Sequence, residues 1–269
     1  FFDLYDIDEV NVPPINEDDL DDILNPRGMP KFSASADYRW LKENGLLKEA
    51  ARAYLAMVSY ADYNLGLIFK ALESSPHADN TIVVLWGDHG WHLGEKLRYR
   101  KATGWTEATR VPLIIRTPDM TSRRDSDALV NLVDLYPTLI DYCGLPAKPA
   151  LDGRSMVPLL QDPNQPWSKT TMTVFGKGNA SICDQRWRYI RYQDGTQELY
   201  DHQSDPQEWT NLITSSDKDI VAARDRLAAE YPSDFADEVP NNPSNGTKEA
   251  MAKAAMKSIR ATRDLSQLQ

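Results

Sequence analysis

Asp88, His89 and the basic residues that follow them are the side chains whose types and spacing could carry chemistry. A carboxylate and an imidazole sit side by side in Gly87-Asp88-His89-Gly90, directly after the apolar run Thr81–Trp86. Neighbours in a strand point to opposite faces, but where a strand ends and the chain turns both can reach one site. A carboxylate oxygen suits a hard divalent ion, and an imidazole suits proton transfer or nitrogen ligation. Lys96, Arg98, Arg100 and Lys101 follow within twelve residues of His89, a density of positive charge that draws an anion. The pattern points to a metal site that receives an anion, with His92 as a further pocket candidate. Read singly, Asp88 could instead cap a turn, His89 could be a satisfied neutral histidine, and Lys101 could be solvated.

The flanking elements must deliver these groups. Leu47, Ala50, Tyr54, Met57, Val58, Ala61, Leu65, Ile68 and Leu72 recur at helical spacing, which predicts a long amphipathic helix over 46–74 that covers a sheet face. Pro76 ends it, and 81–86 reads as a buried strand with Asp88 and His89 at its carboxyl end, where ligands collect in open α/β sheets. Val111–Arg116 reads as a second buried strand and 129–142 as a helix stopped by Gly144 and Pro146. Residues 1–40 read as an irregular excursion in which the acidic stretch Glu17–Asp22 is solvated. After a proline-rich connection at 147–168 the grammar changes to short strands at 171–175, 182–192 and 198–200, with Asp194-Gly195 as a hairpin turn. Helices are expected over 217–231 and 247–264. The implied division is 1–164 and 165–269.

The totals bound the class. The 269 residues, 41% of them hydrophobic, suffice for one large or two smaller cores. No run reaches the ~20 apolar residues of a membrane span. A net charge of -10 argues against a nucleic-acid partner. The two cysteines, Cys143 and Cys183, form no Cys-x-x-Cys pair, and two buried free thiols are expected, with a single disulfide open. Asn179 and Asn245 head possible glycosylation sequons. The chain starts at Phe1 rather than Met, so an upstream segment is expected.

Gly87-Asp88-His89-Gly90-Trp91-His92-Leu93-Gly94-Glu95, then Lys101, then Glu107-Ala108-Thr109-Arg110-Val111-Pro112-Leu113-Ile114, resembles the type I sulfatases of the alkaline-phosphatase-like superfamily, nearest the iduronate-2-sulfatase-like branch. Tyr60-Ala61-Asp62, Asp134–Leu139, Leu151–Ser155, Arg188-Tyr189-Ile190, Glu198–Asp201 and Asp205-Pro206 with Glu208 and Asn211-Leu212 extend the resemblance over most of 1–215. It implies the C-terminal part of an alkaline-phosphatase-like α/β sandwich plus a small C-terminal α+β subdomain with an antiparallel sheet. It implies Ca2+ held by Asp88, with His89 beside the metal as ligand or catalytic group, and Lys101 as a catalytic contact to the sulfate ester. Arg98, Arg100, His92 and Lys96 would line the substrate mouth, Lys96 standing where the family often has His. Glu107 and Arg110 would form a supporting ion pair.

The family's nucleophile is a formylglycine made in a Cys/Ser-x-Pro/Ala-x-Arg motif. Cys143 is followed by Gly-Leu-Pro-Ala and Cys183 by Asp-Gln-Arg-Trp, so neither fits. The resemblance places formylglycine upstream, in a missing N-terminal half of the same protein, and implies that this chain alone is inactive. The expected substrate is a sulfated saccharide or small sulfate ester, in a periplasmic, secreted or lysosomal setting. Two alternatives stand beside it: a phosphoesterase or phosphonate hydrolase of the same superfamily, and a non-catalytic domain binding anionic glycans through 96–101.

Overall fold

The computed structural model describes residues 1–237. The expected helix over 247–264 and the sequon at Asn245 lie outside them. Two helices lead into the site. Ser35 caps α1 (Ala36–Glu43) by accepting from the Tyr38 amide, and α2 (Leu47–Glu73) runs for 27 residues. α2 forms where the apolar spacing requires it, but it does not cover a sheet face. Met57 is 69% and Ile68 61% exposed, and only Ala51 and Ala56 are buried along it. Of that stripe, Leu47 packs against the core around Trp105 and Tyr38, while Met57, Val58 and Ile68 stay exposed.

Strands β1 (Val83–Trp86) and β4 (Leu113–Arg116) pair antiparallel, Trp86 opposite Leu113. Both were expected to be buried. Instead they form a sheet of two strands, with Trp86 and Ile114 about half exposed, because no third strand joins them among the described residues. Between them lie the short hairpin of β2 (His92–Leu93) with β3 (Tyr99–Arg100) and the single turn α3 (Thr106–Thr109). The expected helix at 129–142 is shorter. Asn131 and Asp134 build a reciprocal cap over a tight turn, and α4 spans Leu135–Tyr142. The brief α5 (Val157–Gln161) follows.

β5 (Thr171–Val174), β6 (Ala180–Cys183), β7 (Trp187–Arg191) and β8 (Gln197–Asp201) form an antiparallel meander. The run expected as one strand at 182–192 is two, because the Asp184 carboxylate accepts from the amides of Arg186 and Trp187 and closes a turn. The Asp194-Gly195 turn joins β7 to β8 as expected, Gly195 supplying a φ of +87°. One face of the meander packs Ile182, Trp187, Tyr189 and Leu199 against Ala223 and Leu227 of α6 (Lys218–Ala228). The other packs Ile190 and Tyr200 against Trp105, Leu97, Tyr38 and Ile23. Residues Phe1–Ser233 therefore make one unit, and the 164/165 boundary separates two kinds of sheet inside it.

Buried ions knit this second face. Glu208, with no exposed surface, accepts from Arg188 Nε at 2.5 Å, His202 Nε2 at 2.7 Å, and the Thr106 amide and hydroxyl at 3.0 and 2.9 Å. Lys96 Nζ donates to the Glu208 carbonyl and, at 2.7 Å, to Asp19. Asp19 is thus buried, not solvated, and Lys96 is an interior residue rather than part of a substrate mouth. His202 is half-buried and paired. Glu198 accepts from Trp105 Nε1 and from the hydroxyls of Tyr192 and Tyr200. Burial would raise the Glu208 carboxyl, but the charge of Arg188 and the hydrogen bond and charge of His202 hold it at about 2. Burial pulls His202 down, yet hydrogen bonds with Cys183 and Glu208 and the Glu208 charge lift it to about 9. Both thiols are free, Cys183 buried and Cys143 exposed, against the expectation that both are buried.

Two predictions follow from the packing. A Cβ at Gly90 would lie 1.9 Å from the Glu107 carbonyl oxygen, whereas one at Gly66, mid-helix, meets nothing. Gly90→Ala should lower the chemical-denaturation midpoint, and Gly66→Ala should raise stability by about 1 kcal/mol. Because folding raises the His202 pKa above its ordinary value near 6.5, its contribution is complete below that pH and is lost as pH rises through about 9. Stability measured between pH 7 and 9.5 should fall, and His202→Gln should flatten that slope.

Candidate active site at the end of β1

The site begins where β1 stops. Gly87 still donates to the Pro112 carbonyl, and Gly90 turns to donate to that of Ala108, so the strand end is pinned to α3 on its far side. Asp88 and His89 lie between these two anchors. Asp88 is exposed, and one of its carboxylate oxygens accepts from the His89 amide. The other lies 3.4 Å from His89 Nε2. Lys101 Nζ lies 2.5 Å from the same Nε2, and His89 Nδ1 lies 2.9 Å from the Gly90 carbonyl. An ammonium can only donate and a carbonyl only accept, so the neutral ring carries its proton on Nδ1 and offers the Nε2 lone pair to Lys101. Trp91 leans over the ring with centroids 6.4 Å apart. Carboxylate, imidazole and ammonium thus converge at one point, as the spacing in the sequence requires.

Asp88 and His89 also line a cleft of about 1110 Å³ with Arg110, Asp127, Arg188 and His202. Arg110 reaches this cleft, and no Glu107–Arg110 ion pair forms among the described residues. Glu107 instead faces His92 Nδ1 at 3.9 Å, and burial pushes its carboxyl up to about 7.

The other candidates lie elsewhere. His92 is completely buried, bonded through Nε2 to the Thr103 hydroxyl at 2.7 Å and set edge-on to Trp105, so it cannot touch a substrate. Burial lowers it to about 4, which keeps it neutral. Arg100 turns to Asp37 on α1 at 2.6 Å. Arg98 lies over the rings of Phe32 and Trp105. With Lys96 interior and Arg98 stacked on rings, only Arg100 and Lys101 of residues 96–101 present charge at the surface. The loop takes this shape because Lys96, Leu97, Arg100 and Ala102 adopt positive φ of 50–78°, unusual for residues other than glycine. Such strain concentrates at functional sites held by their surroundings.

The donor set was tested against a divalent cation. Asp88 presents an exposed carboxylate, whereas His89 Nε2 is engaged by Lys101. No group of three or more His, Cys, Asp or Glu suited to a metal occurs among the described residues. Asp88 fits as one oxygen ligand of calcium, which takes six to eight, and the rest must come from other residues. Sequence reasoning gave no role to Arg188, Glu208 or Cys183. The first two lay inside recognised motifs, but nothing in their spacing shows that they meet in the interior.

Known proteins match this chain over most of its length. A family model described as Sulfatase matches residues 11–145, and one described as N-sulphoglucosamine sulphohydrolase, C-terminal, matches 87–230. A Sulfatase of Formosa agariphila is 39% identical over 215 residues, 78% of this chain and 42% of that protein. The solved structure of BT4656 in complex with its substrate D-glucosamine-2-N,6-O-disulfate matches with a TM-score of 0.63 and 25% identity, over 84% of this chain and 53% of that one. The phosphonate monoester hydrolase of Agrobacterium radiobacter matches with a TM-score of 0.62 and 26% identity, over 77% and 45%. The chain spans less than half the length of the Formosa relative. With the alkaline-phosphatase-like fold, the antiparallel C-terminal sheet and the two overlapping family matches in place, the chain belongs to the sulfatase family.

Proposed function

We propose that the protein to which this chain belongs hydrolyses sulfate esters, with Asp88, His89 and Lys101 as this chain's share of the active site. The observation that supports the reading is the convergence of the three side chains at the end of β1 in a member of the sulfatase family. Lys101 binds the sulfuryl oxygens: one of its N–H bonds goes to His89 Nε2, and the other two remain for the anion. Its point charge stabilises negative charge that grows on those oxygens as the ester bond breaks. His89, held by Gly90 through Nδ1, orients Lys101 by accepting one of its N–H bonds at Nε2. Calcium bound at Asp88, and a formylglycine nucleophile, would supply positive charge and attack at sulfur from groups contributed by the rest of the protein.

The exposed stripe of α2 and the open β1–β4 pair suit a partner with an apolar face, and the remainder of the same polypeptide is the partner proposed here. The substrate is a sulfated saccharide, a class that the BT4656 complex makes concrete for a relative. The motif 87–114 favours the iduronate-2-sulfatase-like branch. A phosphonate monoester hydrolase shares the architecture, so the assay compares both ester classes.

The test uses the whole protein with an aryl sulfate, a sulfated saccharide and a phosphonate monoester. Sulfate ester hydrolysis should dominate, and Lys101→Ala should lower kcat/KM by about 10²–10³-fold with the fold intact. Chelation of calcium should lower the same rate, and the 269-residue chain alone should show no turnover. An unchanged rate in Lys101→Ala, or preference for the phosphonate, would sink the reading.

A further inference from the structure

The interior cations Lys96, Arg188 and Lys169 each have an acidic partner: Asp19, Glu208 and Asp134. Arg98 has none among the described residues. Its guanidinium is half-buried, 4.9 Å from the Phe32 ring and 5.5 Å from that of Trp105, and its Nε is buried without a hydrogen-bond partner. The nearest interior carboxylate that acts on its charge, Glu198, receives its hydrogen bonds from Trp105, Tyr192 and Tyr200. Stacking on aromatic faces stabilises a guanidinium but leaves its in-plane N–H groups unused. A buried Nε–H with no partner on a half-buried cation is costly unless an acceptor completes it.

The space for that anion is present. A cavity of about 100 Å³ adjoins Arg98, walled by Phe32, Trp105, Tyr192, Ala102 and Thr103. That is several times the ~30 Å³ share of one water in the liquid. It has room for a carboxylate or sulfate group. Thr103 is fixed by His92, and Ala102, at a φ of +69°, directly follows Lys101 in the chain. The cavity therefore borders the same strained loop that presents Lys101, while none of its walls belongs to the cleft at Asp88 and His89.

We propose that Arg98 and its aromatic walls form a second oxyanion subsite. It takes a small acidic group, either a second anionic substituent carried by the sulfated substrate or a free oxyanion of the same chemistry. The inference rests on the proposed sulfatase activity only for the source of the anion. The subsite itself follows from the unpaired guanidinium and the cavity.

The experiment needs no turnover. In the full chain, the Nε–H resonance of Arg98, identified by its loss in Arg98→Met, is followed by NMR during titration with inorganic sulfate, a monosulfated sugar, and a sugar carrying a sulfate and a second acidic group. Movement with inorganic sulfate assigns a free-oxyanion site. Movement with the doubly anionic sugar alone assigns a substrate subsite, and either result supports the proposal. The signal should respond equally in Lys101→Ala, which separates this subsite from the site at Lys101. Arg98→Met should weaken binding of the responding probe about tenfold or more, as measured by calorimetry. Ala102→Leu, which fills the cavity and keeps the charge, should do the same and serves if Arg98→Met fails to fold. A resonance that no probe moves, or binding unchanged in both variants, overturns the subsite even where Lys101→Ala abolishes hydrolysis.

Discussion

The Glu208 carboxylate is the contact on which the rest of the described chain depends. It collects Arg188 from β7, His202 from the end of β8 and Thr106 from the first turn of α3, while its own carbonyl receives Lys96. Four stretches distant in sequence are thereby tied at one buried point. An ion taken this far from water is tolerated only when nearly every lone pair is used, as here. Removing the carboxylate would strand two cations and a threonine amide in the interior. The meander is therefore part of the scaffold of the candidate site's loop, not an appended module.

From this hub the positions of the candidate site's side chains follow. Thr106 starts α3, Ala108 on α3 holds Gly90, and Gly90 ends the turn that aims Asp88 and His89. On the other side, Lys96 anchors the loop that ends in Lys101. Both arms of the candidate site trace back to one residue, Glu208: the strand-end pair through its carboxylate and the ammonium through its backbone carbonyl. That is why a loop with four left-handed residues holds its shape.

What could be read from the sequence divides along physical lines. Local pattern sufficed for α2, β1, β4, the Asp194-Gly195 hairpin and the meeting of Asp88, His89 and Lys101, because periodicity, turn chemistry and a dense motif act over a few residues. It failed where the outcome depended on distant partners. Lys96, Arg98 and Arg100 look alike in a basic run, yet they end in a buried ion pair, an aromatic stack and a surface bridge to Asp37. Asp19 sits in an acidic stretch that reads as solvated, and only Lys96, seventy-seven positions away, draws it inside. The single strand expected over 182–192 broke for a local reason, the Asp184 turn, which alternation alone does not register.

The four left-handed residues between Lys96 and Ala102 have a practical corollary. Their geometry is held by Asp19, Glu208 and Asp37, none of which lies in the segment itself. A synthetic peptide copying positions 91–105 would relax to ordinary backbone angles. Antibodies raised against such a peptide would recognise the denatured protein and pass over the folded one.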